Sequence, residues 1–69
     1  MLKITLAAAR VNAGLTQADV AEKMHISKNT IVNWENGKVI PSVANIHLLS
    51  FIYGIPEDNI FLPEKLTIS

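Results

Sequence analysis

The sequence predicts an all-α domain of five helices, and three observations carry that prediction. Apolar residues recur at spacings of three and four through most of the chain, the period of helices with one buried side. Helix-capping residues precede the central stretches, at Thr16, Ser27 and Ser42. Glycine follows three of the stretches, at Gly14, Gly37 and Gly54, where a left-handed residue ends a helix. A chain of 69 residues has room for one domain and one core. Without cysteine pairs or a metal cluster to staple it, such a core depends on helix packing, helped by oligomerisation.

The first helix is expected over residues 2–13. Leu6, Ala9 and Ala13 share a face, Ile4 and Val11 flank it, and the alanines favour helix. Arg10 stands on this otherwise apolar element, so it either has a partner or is an ordinary surface arginine. The second helix, 17–24, starts at the N-cap Thr16 with Asp19 three residues on, and puts Val20, Ala21 and Met24 on one side. His25-Ile26 makes a turn, Ser27 caps the third helix over 28–36, and Gly37 stops it. Two helices joined this closely must cross steeply and share an apolar angle, which makes a helix-turn-helix.

Pro41 restricts Ile40 and keeps Lys38 to Pro41 out of helix. Ser42 then caps the fourth helix, 43–53. Its apolar stripe is Ile46, Leu49, Ile52 and Tyr53, widened by Leu48 and Phe51. A fifth helix is expected over 56–61, because Pro56 suits a first helical position and Glu57 and Asp58 suit the positive end of the dipole. The domain is therefore residues 1–62, with a tail over 63–69 that is partly extended at 66–68.

Several function classes are set aside by composition. No apolar run approaches the roughly 18 residues of a membrane span, and the start of the chain is too short and interrupted for a signal peptide. A soluble cytoplasmic protein without cofactor or metal is the expectation. Catalysis is not expected, since the chain offers two isolated histidines, no cysteine, no carboxylate pair and no phosphate-binding glycine loop. A pH-sensing or metal-binding role for His25 lacks a second ligand nearby in sequence, and His47 reads as an exposed helix residue. Six Lys and Arg balance six Asp and Glu, but unevenly: Lys3, Arg10, Lys23, Lys28 and Lys38 precede an acidic end containing Glu57, Asp58 and Glu64. Ordinary surface charge and a face that meets an anion both fit this asymmetry.

The outer face of the third helix is the most informative surface. Ile31 and Trp34 point inward with Thr30 at the edge, while Lys28, Asn29, Val32, Asn33 and Asn36 point out. A merely solvated face is one reading. It leaves unexplained why three asparagines, poor helix formers, and an exposed valine share a face with one charge. The edges of base pairs in a DNA major groove supply a reason. Asparagine pairs in bidentate fashion with adenine, lysine donates to guanine O6 and N7, and valine meets the thymine methyl. Ser27 and the free amides beside it then lie near phosphates. Gln17, Asn36 and Lys38 stand where the flanking backbone would be held.

The runs GLTQADVAEK and ISKNTIVNWENGK, followed by Pro41-Ser42, Leu49 and Gly54-Ile55-Pro56, resemble the phage-repressor/Cro-like (XRE-type) helix-turn-helix family over about residues 3–62. The resemblance implies a five-helix, lambda-repressor-like DNA-binding fold with the motif formed by helices 2 and 3. It implies base contacts from Ser27, Lys28, Asn29, Val32 and Asn33, and backbone contacts from Gln17, Asn36 and Lys38. An arginine in the first helix of such proteins pairs with the glutamate before Asn-Gly, so Arg10 would pair with Glu35, a structural role that also faces phosphate.

Two features depart from that family. His25 occupies the turn position usually held by glycine, and the cations are few. Few neutralised phosphates mean weak non-specific binding. A homodimer on a pseudo-palindromic, double-stranded operator, with half-sites about one turn apart, is therefore expected. Ile55, Pro56, Ile60, Phe61 and Leu62 would provide the dimer or partner surface, or else belong to the core. The chain looks like a short Cro-type repressor. The rival expectation is an interaction module that binds another repressor protein.

Overall fold

The computed structural model describes residues 3–62. The expected tail over 63–69, and Leu2, the first residue of the expected first helix, lie outside the described residues. Four α-helices follow one another as α1 (Leu6–Asn12), α2 (Gln17–Met24), α3 (Lys28–Glu35) and α4 (Val43–Tyr53). Two short strands, β1 (Ile4–Thr5) and β2 (Ile60–Phe61), pair in parallel with Ile4 opposite Ile60 and Thr5 opposite Phe61. This differs from a purely helical layout of five helices.

Both departures have a local cause. The first helix begins at Leu6 because Thr5 is extended, and its hydroxyl accepts from the Ala8 amide at 3.1 Å. Thr5 cannot both cap the helix and continue it. At the other end, Pro56 is extended and only one 3-10 turn forms, over Glu57–Asn59. Ile60 then returns to extended geometry, which lets it pair with Ile4 and enter the core. The acidic first turn after Pro56 is a good helix start, but burial of Ile60 and the strand pairing outweigh it.

The helix ends follow from side-chain chemistry close at hand. Thr16 Oγ1 accepts from the Asp19 amide at 3.0 Å, and the Thr16 amide donates to Asp19 Oδ2 at 2.9 Å, a reciprocal capping box. The donated bonds from Thr16 hold the Asp19 carboxyl below its ordinary pKa. Ser27 and Ser42 cap α3 and α4 through the amides of Thr30 and Asn45, at 3.3 and 3.2 Å. Gly54 ends α4 with φ 72°.

His25 ends α2 in the left-handed region, at φ 59° and ψ 43°, the only described residue other than glycine with positive φ. The turn works because the Ile26 amide closes back on Ala21 O at 3.0 Å and Ile26 packs against the core. A side chain with a Cβ costs about 1–2 kcal/mol in this conformation, partly offset by the lower unfolded-chain entropy relative to glycine. The variant His25→Gly is therefore expected to gain up to about 1 kcal/mol in urea unfolding. A loss of stability would mean that the imidazole makes contacts that outweigh the strain.

The core draws on all four helices and on β2. Leu6 and Ala9 come from α1, Val20 and Ala21 from α2, Ile31 and Trp34 from α3, Leu49 and Tyr53 from α4, and Ile60 from β2. Ile46, Ile52, Ile55 and Leu62 are half-buried against this cluster. Ile55 and Leu62 are thus largely committed to the fold, leaving Pro56 and Phe61 as the exposed members of the surface anticipated there. Ala13 and Val11, grouped with the first helix's apolar side, are exposed instead. Leu48 and Phe51 do not widen the buried stripe of α4; both face outward.

Candidate nucleic-acid interface

The three residues 25–27 join α2 to α3, and α3 presents two unlike sides. Ile31 and Trp34 are buried at 1 % and 5 % exposure, which fixes how α3 can rotate about its own axis. The opposite side is then determined. Ser27, Lys28, Asn29, Asn36 and Lys38 are exposed, while Val32 and Asn33 are half-buried at its margin. Among the described residues, the side chains of Lys28, Asn29, Asn33 and Asn36 form no hydrogen bond or ion pair within the chain. Their donors and acceptors are open to a ligand. Ser27 differs, because its hydroxyl both caps α3 and meets Thr30 Oγ1 at 3.1 Å.

The loop after α3 is bound to the same helix. Lys38 and Val39 both donate their amides to Asn33 O, at 3.0 and 3.4 Å. Lys38 is consequently held near the end of the surface that Lys28 begins. These two cations flank the three asparagines, giving an extended polar strip with positive ends.

Beneath the strip lies a network joining three helices. Arg10 Nε donates to Glu35 Oε2 at 2.7 Å and Arg10 Nη2 to Glu35 Oε1 at 3.2 Å, a bidentate pair. Arg10 Nη1 donates to Leu15 O at 3.0 Å, and Gln17 Nε2 donates to Glu35 Oε1 at 3.0 Å. The side chains of Arg10 and Glu35 are only 14 % and 7 % exposed. The hydrogen bonds from Arg10 to Glu35 raise the arginine's pKa above its already high ordinary value. Nearby, burial and the Glu35 charge push the Tyr53 hydroxyl up to about 12. All three guanidinium nitrogens of Arg10 thus donate inward, to α3 and to the turn before α2, and none of these bonds reaches outward. Gln17 likewise has its amide group turned toward Glu35.

The sequence contains no short signal for Leu15 O as an acceptor, because a backbone carbonyl has no residue identity. His47 Nδ1 pairs with Glu57, tying α4 to the 3-10 turn; in the sequence His47 read as an exposed helix residue and Glu57 as an acid at a helix start. Their separation of ten residues spans a helix end and a proline, which no fixed spacing rule covers.

A helix-turn-helix family model matches residues 6–60. The chain is 30 % identical over 57 residues to the HTH-type transcriptional activator BcrR of Enterococcus faecalis, an alignment covering 83 % of this chain and 28 % of that protein. It is 36 % identical over 50 residues to an HTH-type transcriptional regulator of Methanocaldococcus jannaschii, covering 72 % of this chain and 76 % of that one. The chain therefore spans little more than a quarter of the length of the first relative and about three quarters of the second. Among the described residues, no helix is long and apolar enough to cross a membrane.

Proposed function

We propose that this chain, which belongs to the helix-turn-helix family, is a sequence-specific DNA-binding regulator of transcription. In this reading α2 and α3 form the motif and α3 lies in the major groove. Lys28, Asn29, Val32 and Asn33 read base edges, with Ser27 beside them at the helix start. Asn36 and Lys38 hold the backbone at one end of the strip. Gln17 serves the other end from the first turn of α2, whose free amides face an approaching phosphate. Arg10 acts through Glu35, keeping α1, α2 and α3 in register rather than touching phosphate itself.

The observation that carries this reading is the set of unengaged amide and ammonium groups on a helix whose other face is locked into the core. A helix held in one rotational setting presents its polar groups without further ordering, and that preorganisation is what groove recognition requires. Two lysines at the ends of the strip neutralise few phosphates, so a single domain binds weakly. We therefore propose a homodimer on a pseudo-palindromic operator. The sign of regulation follows from where the operator lies. Overlap with a promoter gives Cro-like repression, whereas placement upstream gives activation, the activity named for the Enterococcus relative.

Selection of a binding site from random duplex DNA, followed by fluorescence anisotropy at fixed salt, tests the proposal. Asn33→Ala is expected to weaken the selected site by about 1–3 kcal/mol and to relax preference at one base position. Lys38→Ala is expected to weaken all sequences alike and lower the salt slope by about one. Equal affinity of Asn33→Ala and the parent for the selected site would refute base reading by α3.

A further inference from the structure

We propose that the Asn36-Gly37 peptide is a site of spontaneous covalent modification, at which Asn36 loses its side-chain nitrogen as ammonia and the end of the α3 strip gains a negative charge. The consequence for DNA binding rests on the regulatory reading above; the chemistry itself does not.

The backbone nitrogen of Gly37, on losing its proton, attacks Cγ of Asn36 and closes a five-membered cyclic imide. The bond from Cγ to the side-chain nitrogen breaks, and that nitrogen leaves as ammonia, its third hydrogen matching the proton given up by Gly37. Water then opens the ring at one carbonyl or the other. The product is an aspartate or a β-linked isoaspartate in place of Asn36. Nothing is oxidised or reduced, and solvent water is the only co-reactant. Ring closure is fastest before glycine, which has no Cβ to crowd the attacking nitrogen.

The structure singles out this one asparagine of six. Asn12, Asn29, Asn33, Asn45 and Asn59 each precede a residue with a Cβ. The amide after Asn12 is held twice, to Ala9 O at 3.0 Å and Arg10 O at 3.1 Å, and the amide after Asn59 donates to Glu57 O. Asn29, Asn33 and Asn45 lie within α3 and α4. Asn36 instead is exposed at the C-cap of α3, and among the described residues its side-chain amide has no partner. The Gly37 amide makes one bond, to Trp34 O at 3.3 Å, longer than a usual backbone pair. Ring closure needs ψ of Asn36 to turn from −8°, which also parts Lys38 and Val39 from Asn33 O. The reaction therefore proceeds from the frayed end of α3, where opening is least costly.

Two separate requirements create this labile pair. The chain needs Gly37 at φ 79°, where a side chain is strained, and the strip needs an amide at Asn36 to hold the DNA backbone. The new carboxylate stands two residues from Lys38, offsets one of the strip's two cations and sits at the negative end of the α3 dipole. Isoaspartate also lengthens the backbone by a methylene, which displaces Lys38. A duplex laid across α3 opposes fraying, so the reaction runs in the free chain and stalls in the complex. The domain then ages irreversibly while it is off DNA.

Incubation of the folded full chain at physiological temperature, at neutral and at mildly alkaline pH, followed by intact-mass measurement and peptide mapping, tests the assignment. Deamidation is expected first at Asn36 and faster at the higher pH, with isoaspartate detected by an isoaspartate-specific methyltransferase. Asn36→Gln, which would need a slower six-membered ring, is expected to keep its mass and its own starting affinity throughout. The aged parent and Asn36→Asp are both expected to bind the selected duplex about tenfold more weakly than the fresh parent, with a salt slope lower by about one and unchanged helical circular dichroism. Excess duplex present during incubation is expected to slow the reaction about tenfold. A folded chain whose Asn36 stays intact while the urea-unfolded chain reacts overturns the proposal, as does an aged chain that binds the duplex as tightly as the fresh one. If the parent itself ignores DNA, deamidation at Asn36 still upholds the modification site and the DNA reading falls alone.

Discussion

Replacing Glu35 with alanine is expected to cost about 3–5 kcal/mol, because it leaves the Arg10 guanidinium buried with one carbonyl partner. Gln17 Nε2 loses its acceptor in the same step. A domain of this size has a total stability of about 3–10 kcal/mol, at roughly 0.05–0.15 kcal/mol per residue, so the variant is expected to be partly or wholly unfolded at 25 °C. Trp34, the one tryptophan, reports the transition by fluorescence in urea. The double variant Arg10→Met, Glu35→Leu separates the pair's net contribution from the cost of orphaning one charge. Replacing both partners with apolar side chains of similar length is expected to recover most of the loss, since two charges no longer need to leave water. If Glu35→Ala and the double variant unfold alike, the network holds the helices in register in a way that packing cannot replace.

The second large effect is on the inner side of α3. Ile31 is 1 % exposed, and Ile31→Ala is expected to cost about 2–5 kcal/mol through lost burial and the cavity left behind. Its apparent affinity for DNA then falls with the fraction folded, and excess DNA restores folding by mass action. Asn33→Ala, two residues on, is expected to show the reverse pattern, with little change in unfolding and a large change at the selected site. The comparison isolates the two faces of one eight-residue helix. Similar urea midpoints for both variants would mean that Asn33 serves the fold and not a ligand.

The helix boundaries that were legible in the sequence are those fixed by chemistry within three residues. Thr16, Ser27 and Ser42 each accept an amide three positions on, and Gly14, Gly37 and Gly54 each take the left-handed turn. The membership of α3's inner face was equally readable, because Ile31 and Trp34 are large and have one direction to go. What failed was judged from local cues where a distant segment decided. Pro56-Glu57-Asp58 announces a helix, yet Ile60 is drawn into the core and into pairing with Ile4, far away in sequence. Phe51 and Leu48 were assigned inward because a helix apolar all round gives no periodic clue to which side is covered. At the candidate site, the polar strip could be drawn from residue types. The inward commitment of Gln17 and all three Arg10 nitrogens could not, since it depends on where three helices meet.

The parallel pairing of β1 with β2 also bears on the order in which this molecule assembles. Its partners Ile4 and Ile60 lie at the two ends of the described chain, so closing the pair encloses nearly every other residue in one loop. Closure entropy rises only slowly with loop length, but a two-residue ladder offers little to offset it until the helices between have docked. The helices, capped by neighbours and turned by short connections, need no such wait. The strand pair therefore forms late, after the helices have brought its two halves together. Because Ile60 is also a core residue, opening the pair exposes apolar surface as well as breaking the ladder, so the two halves stay closed once the helices have docked.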